Sequence, residues 1–562
     1  MKTFKDSKIL LVLLPFWTPL IPPPGIAGLK SFLQGYGFRV KAVDANIEPE
    51  FKYIHDKYFD TLRAMLPEDK WGNFFKVGYE VLRNHLMAHI NHTEPGQYIA
   101  LVKLLIYRNY YVNVNDHQVF GLNGILDEFY ARLETYVSGL LEKETPDVLG
   151  VSTTVGTLPA TMVACEVTKR KYPHIMTVMG GCLFSWSLHQ SPDFDVLLEK
   201  VPYIDKIIIG EGEQLFLKLL QGELPASQRV YSLQDIDGKE LDISQATIPD
   251  LSDFDLQAYP YLVASGSIGC SFQCGFCNFP SLYGKYRKKE AKRIVDEMTA
   301  LYRAYKSQIF FMSDLLINPI LPELSTELLK SERMFYWDVH MRLDEPVTNP
   351  ENTLLWRRAG LYRARLGLES GSQRVLNLMN KKITVDQAKA AISSLAYAGI
   401  KTSVFIVVGF PGETEADFQQ TLDFIEEMKH DIWHVESTPF QYFYTGQVEA
   451  DEWARHRKLL YPAEFRDMLV TQTWILDCEP TQEDTYDRVN RLEKHLHRLN
   501  IPDPFSSLEN HYYADERWKR LHENAVPSLV EFKSNDDVDE KNNIKTLILA
   551  EKKTQENAAF RF

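Results

Sequence analysis

The chain opens on an apolar run without alternation. Residues Lys8 to Leu14 (KILLVLL) have the pattern of a strand buried on both faces. A loop with Pro22-Pro23-Pro24-Gly25 follows. A helix then places Ile26, Leu29 and Leu33 on one side and is punctuated by Gly35 and Gly37, before a second strand over Phe38 to Val43. The same alternation resumes further on. Asp147 to Thr153 reads as a strand and Leu158 to Tyr172 as a helix. Thr177 to Met179 runs into Gly180-Gly181, and Ile204 to Ile209 runs into Gly210-Glu211-Gly212-Glu213. Repeated strand–loop–helix units predict an α/β fold with a doubly wound parallel sheet over residues 1–230. Residues 51–138 interrupt it with aromatic-rich helical sequence and are expected to be an insertion. Residues 231–255 carry little periodicity and read as a linker.

A second alternating series fills residues 256–445. Its strands are expected at Leu262 to Ser265, Gln308 to Met312, Tyr336 to Val339, Arg363 to Leu368, Thr402 to Val408 and Trp433 to Ser437. Amphipathic helices lie between most of them, one with Ile294, Met298, Leu301 and Tyr305 at helical spacing. Six βα units predict a partial (β/α)6 barrel, whose chemistry sits at the carboxyl ends of its strands. Residues 446–562 are mixed and helical, and the polar stretch from about 533 onward reads as a frayed tail. There is no internal repeat.

Composition changes this picture in three ways. A chain of 562 residues is too long for one hydrophobic core, in keeping with several domains. A formal net charge of −14 argues against a broad grip on nucleic acid. No apolar run spans a bilayer, and the run Ile9 to Leu14 is short, ends at Pro15 and has no small-residue cleavage site after it. A cytoplasmic location without a membrane partner is therefore expected. Six cysteines (165, 182, 270, 274, 277 and 478) are too scattered for a disulfide framework. Cys165, Cys182 and Cys478 are most simply buried thiols.

The other three stand together. Cys270, Cys274 and Cys277 form C-x3-C-x2-C directly after the first strand of the second series. Thiolates are soft ligands suited to iron–sulfur clusters, and three of them hold three irons of a cubane while leaving the fourth open. A structural zinc site is the alternative, but zinc wants four ligands, usually as two pairs, and His340 lies far along the chain.

With Phe276 as the aromatic residue before the last cysteine, the loop resembles the signature of the radical S-adenosylmethionine (SAM) superfamily. The resemblance implies a [4Fe–4S] cluster on Cys270, Cys274 and Cys277, SAM bound to the open iron, and reductive cleavage of SAM to a 5′-deoxyadenosyl radical. Further segments match in order, each at an expected strand end. Asp314 in FFMSD, Arg342, Glu369 and Ser370 in GLESGS, and Gly409 in VGFPGET fall where that family places contacts to SAM. In isolation Glu369 could be a helix cap and GFPGET a turn capped by Thr414. The basic run 285–289 reads as a solvated loop rather than a nucleic-acid contact. Partners implied are a small-molecule or natural-product substrate and an electron donor such as flavodoxin or ferredoxin.

The first domain resembles, more loosely, the Rossmann-like cobalamin-binding domain that precedes the radical SAM domain in one large class. Ser152, Thr153, Thr154, Gly180, Gly181, Glu211 and Gly212 stand at its strand ends and are the expected cobalamin contacts. No D-x-H-x-x-G is present, so a histidine below the cobalt is not expected. The resemblance implies cobalamin-dependent methylation of an unactivated carbon in a natural product or lipid. Cyclisation, ring contraction or oxidation with the same cofactors is the first alternative. A methylthiotransferase would need a second cluster on three N-terminal cysteines, and only Cys165 and Cys182 lie there. An iron–sulfur sensor would not need the SAM motifs.

Overall fold

The computed structural model describes residues 7–526, apart from 186–187 and 239. The expected tail from 533 lies outside the described residues.

The first sheet contains β1 (Lys8–Leu13), β2 (Arg39–Asp44), β3 (Val148–Ser152), β4 (Met176–Gly180), β5 (Lys206–Ile208) and β6 (Val230–Tyr231). They lie in the order β2-β1-β3-β4-β5-β6, every pair parallel. Strand order reverses between β1 and β3. The uninterrupted apolar run of β1 serves two cores at once. Ile9, Leu11 and Leu13 face helix α1 (Pro24–Gly35) and a core that continues into the second sheet, while Leu10, Val12 and Leu14 face the inserted helices. The insertion is four helices: α2 (Pro49–Arg63), α3 (Phe74–Asn91), α4 (Pro95–Tyr110) and α5 (Asp116–Glu144). Each buries a stripe at helical spacing, as in Phe51, Ile54, Tyr58 and Leu62 of α2.

The expected linker 231–255 is not a loose connection. Tyr231 belongs to the sixth strand and is fully buried, and Ile243, Leu251 and Phe254 are buried after it. Lys30 on α1, 2% exposed, pairs with Asp250 at 2.8 Å and Asp253 at 2.6 Å. The segment is a strap held by single apolar residues and caps, which carry no periodicity to detect.

The second sheet begins with β7 (Leu262–Ala264). A two-stranded antiparallel hairpin follows, β8 (Ser267–Ile268) with β9 (Arg287–Lys288). The sheet continues with β10 (Ile309–Met312), β11 (Tyr336–Met341), β12 (Leu361–Glu369), β13 (Lys401–Val408) and β14 (His434–Pro439). The order β14-β13-β12-β11-β10-β7 is parallel throughout. The sheet is curled toward one face. The His340 ring on β11 stacks on Phe405 of β13 at 5.6 Å, over the intervening β12, and the Arg365 guanidinium on β12 lies 5.0 Å from the Phe311 ring of β10. This is the expected open six-stranded barrel. After it come a hairpin, β15 (Arg457–Leu459) with β16 (Trp474–Leu476), and helices Gln482–Arg498 and Leu508–Leu521. Among the described residues no helix is long and apolar enough to cross a membrane.

Candidate active site

The cysteine loop spans the two strands of the β8–β9 hairpin. Gly269 starts it at φ +80°, where a Cβ would lie 3.0 Å from the carbonyl oxygens of both Gly284 and Lys285, so the turn requires glycine. Asp314, fully buried after β10, holds the base of the hairpin by accepting from the Gly266 N–H at 2.9 Å and the Ser267 hydroxyl at 2.5 Å. Burial raises its pKa to about 6. The loop is pinned further along by other segments. The Gly275 N–H donates to Met379 O at 2.8 Å, Asn380 Nδ2 to Gln273 O at 2.7 Å, and Gln447 Nε2 to Phe276 O at 2.8 Å.

Two cations face this loop. Arg342, just past β11, places Nη1 3.6 Å from Cys274 Sγ and its guanidinium 3.6 Å from the centre of the Phe272 ring, while its buried Nε has no protein partner. Lys381 pairs with Glu369 at 2.6 Å and lies 5.5 Å from the Phe276 ring. Burial pushes the Cys277 thiol up to about 12 and raises Cys270, and Lys381 opposes both shifts. Among the described residues no three His, Cys, Asp or Glu side chains converge on a point for one metal ion. Three thiols spread along a loop instead suit a cubane, in which each takes its own iron, and the two cations with an unpartnered N–H suit its negative charge.

The SAM residues expected from the sequence do not all face this mouth. Arg342, Glu369 and Phe276 gather beside the cysteines. Asp314 is a structural acceptor for the hairpin. Ser370 is fully buried and turned to Thr421, with its oxygen 3.2 Å from Thr421 Oγ1. Gly409 has φ +81°, and a Cβ there would come within 2.1 Å of Thr485 Oγ1, so it is the point where helix Gln482–Arg498 crosses the strand end. Its N–H donates to Glu413 at 2.8 Å, and burial raises that carboxyl to about 7 despite Arg488 at 3.0 Å.

Between the two sheets lies a cavity of about 570 Å³. One wall is the crevice where the first sheet reverses, with Trp17 after β1 and Thr154, Val155 and Gly156 after β3. The facing wall is Gly409 after β13 and Pro439 and Phe440 at the end of β14. Helix α3 and the β15–β16 hairpin close the sides, through Lys76, Glu80 and Arg83 and through Gln472 and Trp474. Of the residues expected to hold cobalamin, only Thr154 lines this cavity. Thr153 is buried against Thr161, and Ser152 ends β3. Gly180 ends β4, and Gly181 (φ +105°) is glycine because a Cβ would sit 2.5 Å from the Thr153 nitrogen. Gly212 begins the helix Gly212–Gln221. Glu211 departs most from expectation, because its carboxylate is committed to an ion pair with Arg287 of β9 and to the Leu241 N–H at 2.6 Å. It joins the first domain to the cysteine hairpin. Cys182 and Cys478, expected to be simply buried, both line the cavity. The α3 and hairpin contributions carried no motif, since their side chains meet the site only through the tertiary fold.

Comparison with known proteins agrees with this geometry. An anaerobic magnesium-protoporphyrin IX monomethyl ester cyclase of Rubrivivax gelatinosus is 27% identical over 315 residues, covering 51% of this chain and 55% of that protein. The ribosomal protein uS12 methylthiotransferase RimO of Clostridioides difficile is 29% identical over 248 residues, covering 42% of this chain and 54% of that protein. The chain thus spans about half the length of these two curated relatives. Among solved structures, the radical SAM methyltransferase TsrM of Kitasatospora setae, with cobalamin and a [4Fe–4S] cluster bound, superposes with a TM-score of 0.55 at 13% identity, covering 92% of this chain and 99% of that one. That likeness shows a shared fold. The family model described as "Radical SAM superfamily" matches residues 265–425, a span that holds the cysteine loop and reaches past the end of β13. The match makes residues 265–425 a radical SAM domain, and the cofactors of that superfamily are S-adenosylmethionine and a [4Fe–4S] cluster.

Proposed function

We propose that the protein is a cobalamin-dependent radical SAM enzyme that methylates an unactivated carbon of a natural product or lipid. The observation that carries this reading is the shared cavity. The reversal crevice of a doubly wound sheet, where such folds take ligands, faces the carboxyl ends of the barrel strands. The cavity's hydroxyl, backbone and aromatic lining at Trp17, Thr154 and Gly156 suits a large, mostly apolar cofactor with many weak contacts. Bound there, cobalamin would supply a transferable methyl group while SAM supplies a hydrogen-abstracting radical.

The chain's own part is placement and exclusion. Arg342 and Lys381 balance the negative cluster, and Glu369 is held by Lys381 at the barrel mouth. Helix α3 and the β15–β16 hairpin form the sides of the cavity and narrow its access to water. Reduction would come from a flavodoxin- or ferredoxin-type donor. The likeness to a cyclase supports a second reading, ring formation without methyl transfer. Anaerobic purification with hydroxocobalamin, followed by iron and corrinoid analysis and product mass spectrometry, tests both. The methyltransferase reading expects bound corrinoid and a product heavier by one methyl in place of one hydrogen. A product without that gain favours cyclisation. Protein that cleaves SAM but binds no corrinoid overturns the cobalamin assignment.

A further inference from the structure

The concave face of the barrel is lined by alternate residues of successive strands: Phe311, His340, Arg365, Phe405 and Glu436. Each is partly exposed, whereas most of their neighbours along the strands are buried. The interior is therefore open at this level rather than filled with side chains, as the middle of a packed barrel is.

Three polar groups in that space keep bonding capacity that the described residues do not fill. Arg365 is fixed by Asp338, to which Nε donates at 2.8 Å and Nη2 at 2.9 Å, and its Nη1 is left over. Among the described residues Glu436 makes no hydrogen bond or ion pair, and its carboxylate is more than 4 Å from the Arg365 nitrogens. His340 makes no hydrogen bond either, and burial lowers its pKa to about 4, so it enters as a neutral ring. Arg363 shares the same Asp338 carboxylate, so two guanidinium groups meet one carboxylate and a net positive charge is left beside Arg365 Nη1, while Glu436 stands at the same level of the interior. A ligand that offers an anion to the one and a cation to the other completes both. The flat rings of Phe311, His340 and Phe405 form a connected wall at the same level, each within 5.6 Å of the next.

This space leads to the chemistry. The inward face of β13 continues from Phe405 through Val407 to Gly409, and that of β14 from Glu436 through Thr438 to Phe440. Gly409 and Phe440 line the cavity between the sheets. Arg365 stands four residues before Glu369, about 13 Å along an extended strand from the barrel mouth.

We infer that this level of the barrel interior is the substrate's anchoring site, and that it takes a zwitterionic molecule with a flat apolar body, its carboxylate on Arg365 and its ammonium on Glu436. The inference rests on the radical SAM domain and not on cobalamin. Three probes of one size test it by calorimetry on anaerobic, cluster-reconstituted protein: L-phenylalanine, 3-phenylpropanoate and 2-phenylethylamine. Phenylalanine should bind at least about tenfold more tightly than either singly charged probe. Glu436→Gln should erase its advantage over phenylpropanoate while leaving its advantage over phenylethylamine. Arg365→Met should do the reverse, and Arg365→Lys should restore part of the loss. Equal affinity for the three probes, or an unchanged order in Glu436→Gln protein that keeps its iron, overturns the assignment. Absence of corrinoid alongside the expected probe order would remove the cobalamin reading and leave this site standing.

Discussion

At the residue scale, the cysteine loop and Asp314 make separable demands. Replacing Cys270, Cys274 and Cys277 together with alanine should remove the roughly four irons per chain expected of a cubane, measured by iron analysis after anaerobic reconstitution. Cys478→Ala should keep them, because Cys478 lines the cavity between the sheets and lies outside the cysteine loop. Asp314 was expected at the SAM amino group, but its two oxygens are spent on the Gly266 N–H and the Ser267 hydroxyl. Asp314→Ala leaves the Gly266 N–H buried and unpaired and the Ser267 hydroxyl with only the Leu316 carbonyl at 3.2 Å, a cost of roughly 1–3 kcal/mol. It should therefore lower both the melting temperature and the iron content. Glu369→Gln should weaken SAM binding with iron content intact. If Asp314→Ala protein holds its full iron and loses only SAM, the hairpin role is wrong.

At the element scale, the strap over residues 231–255 decides how the two domains meet. Its aspartates converge on Lys30, which α1 buries almost completely. Lys30→Met preserves the length of the side chain and leaves two carboxylates facing an apolar group. It should cost about 3 kcal/mol, the low end for breaking a buried ion pair, since both aspartates keep some contact with water. Urea denaturation of wild type and variant measures this, and a difference under about 1 kcal/mol would mean that the strap is held by its apolar residues alone. Glu211 does comparable work between β9 and the first domain. A glutamate in a G-E-G-E run at a strand end reads as a ligand contact, yet it serves here as the tie to the cysteine hairpin.

At the scale of the whole molecule, the insertion, the barrel and the C-terminal helices meet at one buried charge cluster. Lys76 of the insertion pairs with Glu493 at 2.7 Å, and Ser437 of β14 donates to the same carboxyl at 2.7 Å. Burial pushes Glu493 up to about 8, with Asp503 adding to the rise, while Asp503 itself is held at about 2 chiefly by hydrogen bonds and Lys76 working against burial. One proton shared by two carboxyls balances one lysine. The sign follows from linkage. Glu493 has a higher pKa folded than unfolded, so the folded state holds the extra proton between about 4.5 and 8. Its contribution is fully present below that window and is lost as pH rises through it. Asp503 acts in the opposite sense and only at acid pH, where its stabilisation is lost as pH falls toward 2. The melting temperature of wild type should thus fall from pH 6 to pH 9 more steeply than that of Glu493→Gln. Parallel profiles for the two would show that the carboxyl is ionised throughout.

The local sequence determined the elements and the cysteine loop proposed to hold the cluster. Six barrel strands, the doubly wound first domain, the helical insertion and the C-x3-C-x2-C loop are all written in short-range periodicity and spacing, because strand burial and thiolate ligation act over a few residues. The tertiary structure decided which side chains meet. It turned Asp314 and Ser370 inward, gave Glu211 to Arg287, made a strap of the supposed linker, and brought Trp17, Arg83 and Trp474 to one cavity from three distant segments. It also left Arg365 with a spare Nη1 beside Asp338, and Glu436 without a partner among the described residues, in the barrel interior. Alternation along β12 and β14 could place both on the inward face. Only the curl of the sheet, set by contacts between strands far apart in sequence, determined that no group among the described residues would fill both.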